Sequence, residues 1–126
     1  TVTTSSRQVT GTGADPALIS IAGAAPYNFG NVTVGAFLDV PFTLSNTGGV
    51  TATAVVESGL AAPFTFPGGA FPGGGTCTGT INAGSSCTII VRFTPSGTGL
   101  ATEQIQIDYN NGTTVVATTR NLQGTG

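Results

Sequence analysis

Ile81-Asn82-Ala83-Gly84-Ser85-Ser86-Cys87-Thr88-Ile89-Ile90-Val91-Arg92-Phe93-Thr94-Pro95 decides how the rest of the chain is read. Gly79 to Ser85 is a Gly/Asn-rich turn, and from Cys87 the residues alternate. Cys87, Ile89, Val91 and Phe93 share one face, with Arg92 on the other, and Pro95 stops the run. A period of two over seven residues is a half-buried β-strand, not a helix.

The same pattern recurs on both sides. Ala17–Ile21 and Tyr27–Phe29 are short apolar runs separated by Pro26. Phe37–Asn46 points Val40, Phe42 and Leu44 inward and ends at Thr47-Gly48-Gly49. Val50–Glu57 places Val50, Ala52, Ala54 and Val56 on one face. Phe64–Phe66 is brief, between prolines, and Glu103–Tyr109 gives Ile105, Ile107 and Tyr109. Asn111-Gly112 predicts a type I′ turn into Thr113–Gln123, since that dipeptide accepts positive φ. No stretch keeps a 3.6-residue apolar period for three turns. The reading is all-β: a sandwich of about seven to nine antiparallel strands. Its expected core is Val40, Phe42, Leu44, Val56, Ile89, Val91, Phe93, Ile105 and Ile107.

Two segments interrupt that scheme. Pro41 lies between inward residues and cannot donate to a ladder, so its strand must have an edge or a bulge there. Pro67–Gly75 reads as a flexible connection, with a binding loop presenting an exposed Phe71 as the sharper alternative.

Composition limits chemistry more than length does. The 126 residues hold three Arg, no Lys or His, and five acidic residues, 6% charged against roughly 25% in an ordinary domain. A net charge of −2 cannot steer nucleic acid or anionic lipid. No apolar run approaches the ~20 residues that span a bilayer. Without His or Lys the usual general bases, Schiff-base amines and imidazole ligands are missing. Asp15, Asp39, Glu57, Glu103 and Asp108 are scattered singly. An enzyme is not expected, nor is a cofactor. Asp15, Asp39 and Asp108 have no calcium-loop pattern around them and read as solvated carboxylates. Gly73-Gly74-Gly75 lacks the Lys and the following helix of a phosphate cradle. The sequons at Asn31 and Asn111 are of the kind chance supplies in a Thr-rich chain. With no signal peptide and no initiator Met, the sequence reads as mature or excised material.

The two ends repeat each other. Laid over residues 114–126 at an offset of 113, residues 1–13 are identical at Thr1/Thr114, Val2/Val115, Arg7/Arg120, Gly11/Gly124, Thr12/Thr125 and Gly13/Gly126. Gln8/Asn121 and Val9/Leu122 are conservative. The chain starts with something like its own last strand. Residues 1–10 are therefore expected to pair, through Val2, Thr3, Thr4, Arg7, Gln8, Val9 and Thr10, with a sheet of a neighbouring module, or to be the last strand of a preceding repeat. Residues 11–16 would be a linker and 17–126 the sandwich. Val2 and Val9 differ in parity, so they share a face only across a bulge.

Phe29-Gly30-Asn31-Val32-Thr33-Val34-Gly35 followed by Phe42-Thr43-Leu44-Ser45-Asn46-Thr47-Gly48 resembles the opening of a choice-of-anchor D domain. Gly75-Thr76-Cys77, the Ile81–Pro95 stretch and the closing Gly124-Thr125-Gly126 continue the resemblance over residues 14–126. Such modules are bacterial relatives of the Hydin-type and major-sperm-protein-like immunoglobulin folds. The resemblance implies a β-sandwich, frequently in tandem, on secreted or surface-anchored proteins, without catalysis.

Cys77 and Cys87 are ten residues apart around a Gly/Asn-rich turn. That spacing is wrong for a CxxC redox pair, and no third ligand could complete a zinc site. A structural disulfide is expected, with Cys87 its more buried end and an oxidising compartment its implication; buried free thiols are the alternative. The function expected is a building block of an extracellular filament or surface array, assembling head-to-tail through β-strand complementation or as tandem repeats, whose partners are copies of itself. The rival is an adhesin or carbohydrate-binding module working through the Phe64–Phe71 loop, and a glycan ligand stays open.

Overall fold

The computed structural model describes residues 2–126. Among them are eight strands and no α-helix: β1 (Ile19–Ile21), β2 (Tyr27–Asn31), β3 (Leu38–Asn46), β4 (Thr53–Ser58), β5 (Phe64–Thr65), β6 (Ser86–Phe93), β7 (Leu100–Asn110) and β8 (Val115–Thr125). They form two four-stranded sheets, ordered β1-β3-β6-β5 and β2-β8-β7-β4. The sheets face each other as an immunoglobulin-like sandwich.

One pairing departs from the all-antiparallel expectation. β2 runs parallel to β8, with Tyr27 opposite Leu122 and Asn31 opposite Thr125. The reason lies in the chain's start. β1 pairs antiparallel with β3 in the first sheet, and then the chain crosses at Gly23–Pro26 to the second. Keeping its direction, it meets β8 in parallel.

The core forms where inward rows of both sheets meet. Phe42, Phe64, Phe93, Leu44, Ile89, Val91, Ile105, Ile107 and Leu122 are all buried. Phe64 and Phe93 stack at 4.7 Å between centroids. Phe29, from the opposite sheet, lies 5.3 and 5.9 Å from them. Most of the expected core is therefore present, with Val40 packed against its margin. Val56 is the exception, 51% exposed, while Val55 is buried. Ala54 has φ +50°, and the β4–β7 register shifts between Thr53 and Val56. This bulge reverses the alternation after Ala52, which sequence periodicity alone carried through to Val56.

Pro41 sits where the sheet allows it. β1 covers β3 only from Leu44 to Asn46, so β3 is an edge at Pro41 on the side away from β6. The Asn111-Gly112 turn exists, but its loop is Asn111–Thr114 between the paired Asn110 and Val115. Only Gly112 takes positive φ there, which excludes type I′. The Asn111 Oδ1 instead accepts from the main-chain N–H of Thr113 and Thr114.

Candidate functional site

The region of interest is where the N-terminal segment, β8 and the β1–β2 crossover meet. Residues 2–14 are exposed and belong to no strand. Val2 is 96% and Val9 85% exposed, and Thr3, Thr4, Arg7, Gln8 and Thr10 are equally open to solvent. They do not fold back onto their own domain. The chain becomes anchored at Asp15, whose carbonyl accepts from Gly49 N–H at 3.0 Å, and Ala17 N–H donates to the Asn111 carbonyl. Gly48 makes this approach feasible, since a Cβ there would overlap the Pro16 carbonyl. Asp15 and Pro16 are therefore in contact with the sandwich.

Asn46 supports the same pole from inside. It is buried, and its amide makes four bonds: Nδ2 donates to Val50 and Ile81 carbonyls, and Oδ1 accepts from Leu18 and Gly48 N–H. A fully satisfied buried amide fixes three chain segments at once. Sequence reading placed Asn46 only as a strand end.

β8 is the strand that the N-terminal segment repeats. β7 pairs with it along its whole length, from Leu100/Thr125 to Asn110/Val115. β2 covers its other side only from Leu122 to Thr125. Between Val115 and Asn121 that side pairs with no strand among the described residues. Beside it lies a crevice of about 520 Å³, lined by Pro16, Leu18, Gly48, Tyr109, Val116 and Ala117 among others.

Arg120 closes the far end of this opening. Its Nη1 donates to the carbonyls of Gly23 at 2.6 Å and Ala24 at 2.8 Å, and its Nη2 to that of Ile21. One guanidinium thereby gathers the carbonyls that turn away from both sheets as the chain crosses over. Its planar fork suits it to several acceptors at once. The only sequence signal for this role was its repetition as Arg7.

Cys77 and Cys87 form a disulfide. Cys77 is the buried end, and Cys87 is half-buried, the reverse of expectation. Cys77 belongs to a segment folded under the outer edge of β6, whereas Cys87 is only the first inward residue of its strand. The Pro67–Gly75 loop is not a free connection either. Ile90 N–H donates to the Pro72 carbonyl and Cys77 N–H to that of Thr88, so the segment runs along β6 past the short β5. At Gly73 and Gly75 a Cβ would overlap the carbonyls of Ile90 and Thr88. Phe71 turns inward against Phe66, at 5.9 Å between centroids, and is half-buried. The loop seals a sheet edge.

Charges are few, and among the described residues one ion pair forms. Arg92 Nε and Nη2 donate to both Asp39 oxygens at 2.7 and 2.9 Å, across the β3–β6 ladder, and hold the Asp39 carboxyl below the usual carboxylate range. The guanidinium lies 3.9 Å from the centre of the Phe37 ring. Gln106 and Ser58 donate to Asp108 and lower its pKa. Burial raises that of Glu57, against hydrogen bonds from Gln106 and Leu60 N–H. Among the described residues no group of three metal-ligating side chains converges.

No curated protein matches the sequence significantly. Solved structures share its fold at low identity. The Vibrio cholerae VesB protease aligns with a TM-score of 0.68 and 18% identity, over 86% of this chain and 32% of that one. The ASH/PapD-like domain 7 of human CEP192 gives 0.61 and 16%, over 96% and 94%. The secreted serine protease VesC of Vibrio cholerae gives 0.54 and 18%, over 85% and 22%. The chain therefore spans under a third of either protease and nearly all of the CEP192 domain. Residues 24–125 match the family model of HYDIN/CFA65/VesB-like Ig-like domains. With four-fifths of its length in that match and the crossed-over sandwich to go with it, the chain belongs to the HYDIN/CFA65/VesB-like Ig-like domain family.

Proposed function

We propose that this chain is a non-catalytic structural module of an extracellular filament or surface array, joined head-to-tail to modules of its own kind, and that within its family it is of the choice-of-anchor D type. The observation that carries this reading is the N-terminal segment. It repeats the sequence of β8 and stands exposed, while the domain's own β8 site is already occupied. A β-rich segment of this length leaves its backbone groups to water unless another sheet takes them up.

The path of the chain supports the same reading. It is anchored at Asp15, beside the Asn111–Thr114 turn, and leaves at Gly126, beside Gly99. Those are opposite poles, separated by the 11 residues of β8, or about 35 Å of strand. Modules linked this way extend a line. The disulfide suits an oxidising compartment. The Phe64–Phe71 loop gives no support to a carbohydrate-binding role, because its aromatic rings pack inward.

Negative-stain microscopy of a tandem polypeptide, residues 1–126 followed by three further copies of residues 14–126, tests the proposal. Straight rods whose length grows by about one module per added copy are the expected result. A collapsed cluster of modules overturns it.

A further inference from the structure

We infer that residues 2–13 occupy a β8-type slot, between the β7 and β2 of the module preceding this one in the same polypeptide, with Arg7 clasping that module's β1–β2 crossover. This rests on the reading that the segment pairs with another module. It adds which site receives it and in what register.

Three of the six identical positions are ones at which β8 meets a specific demand. Arg120 gathers the carbonyls of Ile21, Gly23 and Ala24, and Arg7 stands at its place. Gly124 lies against the Phe93 ring, where a Cβ would come within 2.5 Å, and Gly11 stands at its place. At Gly126 a Cβ would overlap the Gly97 carbonyl, and Gly13 stands there. Leu122 is 1% exposed, and its counterpart Val9 is apolar.

The parity of the two valines fits as well. Val115 is 68% exposed and Leu122 buried, on a strand that pairs with β7 without a register shift. Val2 and Val9 then face opposite ways with no bulge between them. The two segments differ at 116–119, where Val116 packs at the core margin and has Thr3 as its counterpart, and at 121–123.

A strand merely added to an open sheet edge would need neither the arginine nor the glycines, since both serve contacts inside the slot. In a separate copy of this chain that slot is filled by its own β8. A preceding module whose last strand is residues 2–13 satisfies both observations. Gly13 would then leave that module as Gly126 leaves this one, and Asp15 is already anchored here. A single residue, Ala14, joins the two.

The experiment places residues 1–13 in the slot directly, within the full 126-residue chain. Residues 114–126 are given the sequence of residues 1–13, which needs V116T, A117T, T118S, T119S, N121Q, L122V and Q123T. A second variant carries the same segment displaced by one residue, which reverses every side chain. The first is expected to unfold in one cooperative transition, with a urea midpoint within about 1 M of the parent, and to lose stability on R120A as the parent does. The displaced variant is expected not to fold. Failure of the first variant to fold, indifference to R120A, or equal stability of both variants overturns the inference. None of these measurements requires assembly. A tandem chain that collapses beside a folded first variant would refute the filament reading and leave the slot assignment standing.

Discussion

Gly124 of β8 lies against the Phe93 ring of β6, so near that a Cβ on Gly124 would stand 2.5 Å from the ring. The glycine belongs to the second sheet and the phenylalanine to the first, and their contact sets the spacing of the sheets at the exit pole. Gly124→Ala forces Phe93 off its stack with Phe64 or pushes β8 outward. Overpacking of this kind costs about 1–3 kcal/mol. Urea unfolding with near-ultraviolet circular dichroism reads it, and an alanine variant as stable as the parent contradicts the contact.

Phe93 itself is fully buried, stacked on Phe64 and flanked by Phe29. Phe93→Ala is expected to cost about 3–5 kcal/mol through lost transfer energy and the cavity left behind. On β4 the bulge gives a sharper comparison. Val55→Ala is expected to cost about 1.5–3 kcal/mol by burial, and Val56→Ala under about 0.5 kcal/mol, as for most surface positions. Equal losses at the two valines would remove the bulge from the description.

The strands and most of the core were legible because alternation is a local property: Ile89, Val91 and Phe93 face inward wherever the strand lies. Three features were not local. The Ala54 bulge turns Val55 inward through pairing with β7, which no periodicity records. The parallel β2–β8 pair follows from a chain that changes sheets at Gly23–Pro26, and its sign there is only a break between two short runs. Cys77 is buried because glycine-rich backbone folds under β6, although a run such as Pro67–Gly75 reads as loop. For the candidate site, the terminal repeat was visible in sequence. Why Arg and Gly recur in it became clear only from the carbonyls and the ring they meet.

The Cys77–Cys87 bond closes a loop of about ten residues, which stabilises by roughly 2.5–3 kcal/mol in the chain-entropy model. Unreduced protein is expected to take up no alkyl group under denaturing conditions, and two after reduction, by intact mass. Reduction is expected to act first on the Pro72–Cys77 segment, whose end the disulfide ties to β6. Alkylation of both cysteines before reduction would contradict the bond.

Acid titration is expected to show opposing contributions. Asp108, lowered chiefly by the Gln106 bond and then by Ser58, and Asp39, lowered by Arg92, bind protons less readily when folded. The stability they supply is full above the ordinary Asp pKa and is lost as pH falls through their lowered values. Glu57, raised by burial, works the other way: its contribution is full below the ordinary Glu pKa and is lost as pH rises through the raised value. Asp108→Asn is therefore expected to destabilise at pH 7 and much less at pH 2. Glu57→Gln is expected to stabilise at pH 7 relative to its effect at pH 3. Unfolding free energies at those pH values check both signs, and parallel pH profiles for parent and variants would refute them.

Arg120 makes a prediction that separates its clasp from general packing. The carbonyls of Ile21, Gly23 and Ala24 leave one sheet before the chain enters the other, and the guanidinium is their shared donor. In Arg120→Ala, water can take over part of this role because the site is near the surface. The expected loss is about 1.5–3 kcal/mol, the range for a hydrogen bond to a charged group. Arg120→Lys is expected to recover only part of it, since an ammonium cannot place two nitrogens on carbonyls in one plane. The loss should also be local. β2 is held to β8 over only four residues of β8, with Val32 N–H bonded to the Thr125 carbonyl at its end. When the crossover loosens, β2 is the strand released. Hydrogen exchange is expected to quicken at Tyr27–Val32 while the β7–β8 ladder keeps its protection, and uniform loss across both sheets would instead assign Arg120 to the global core.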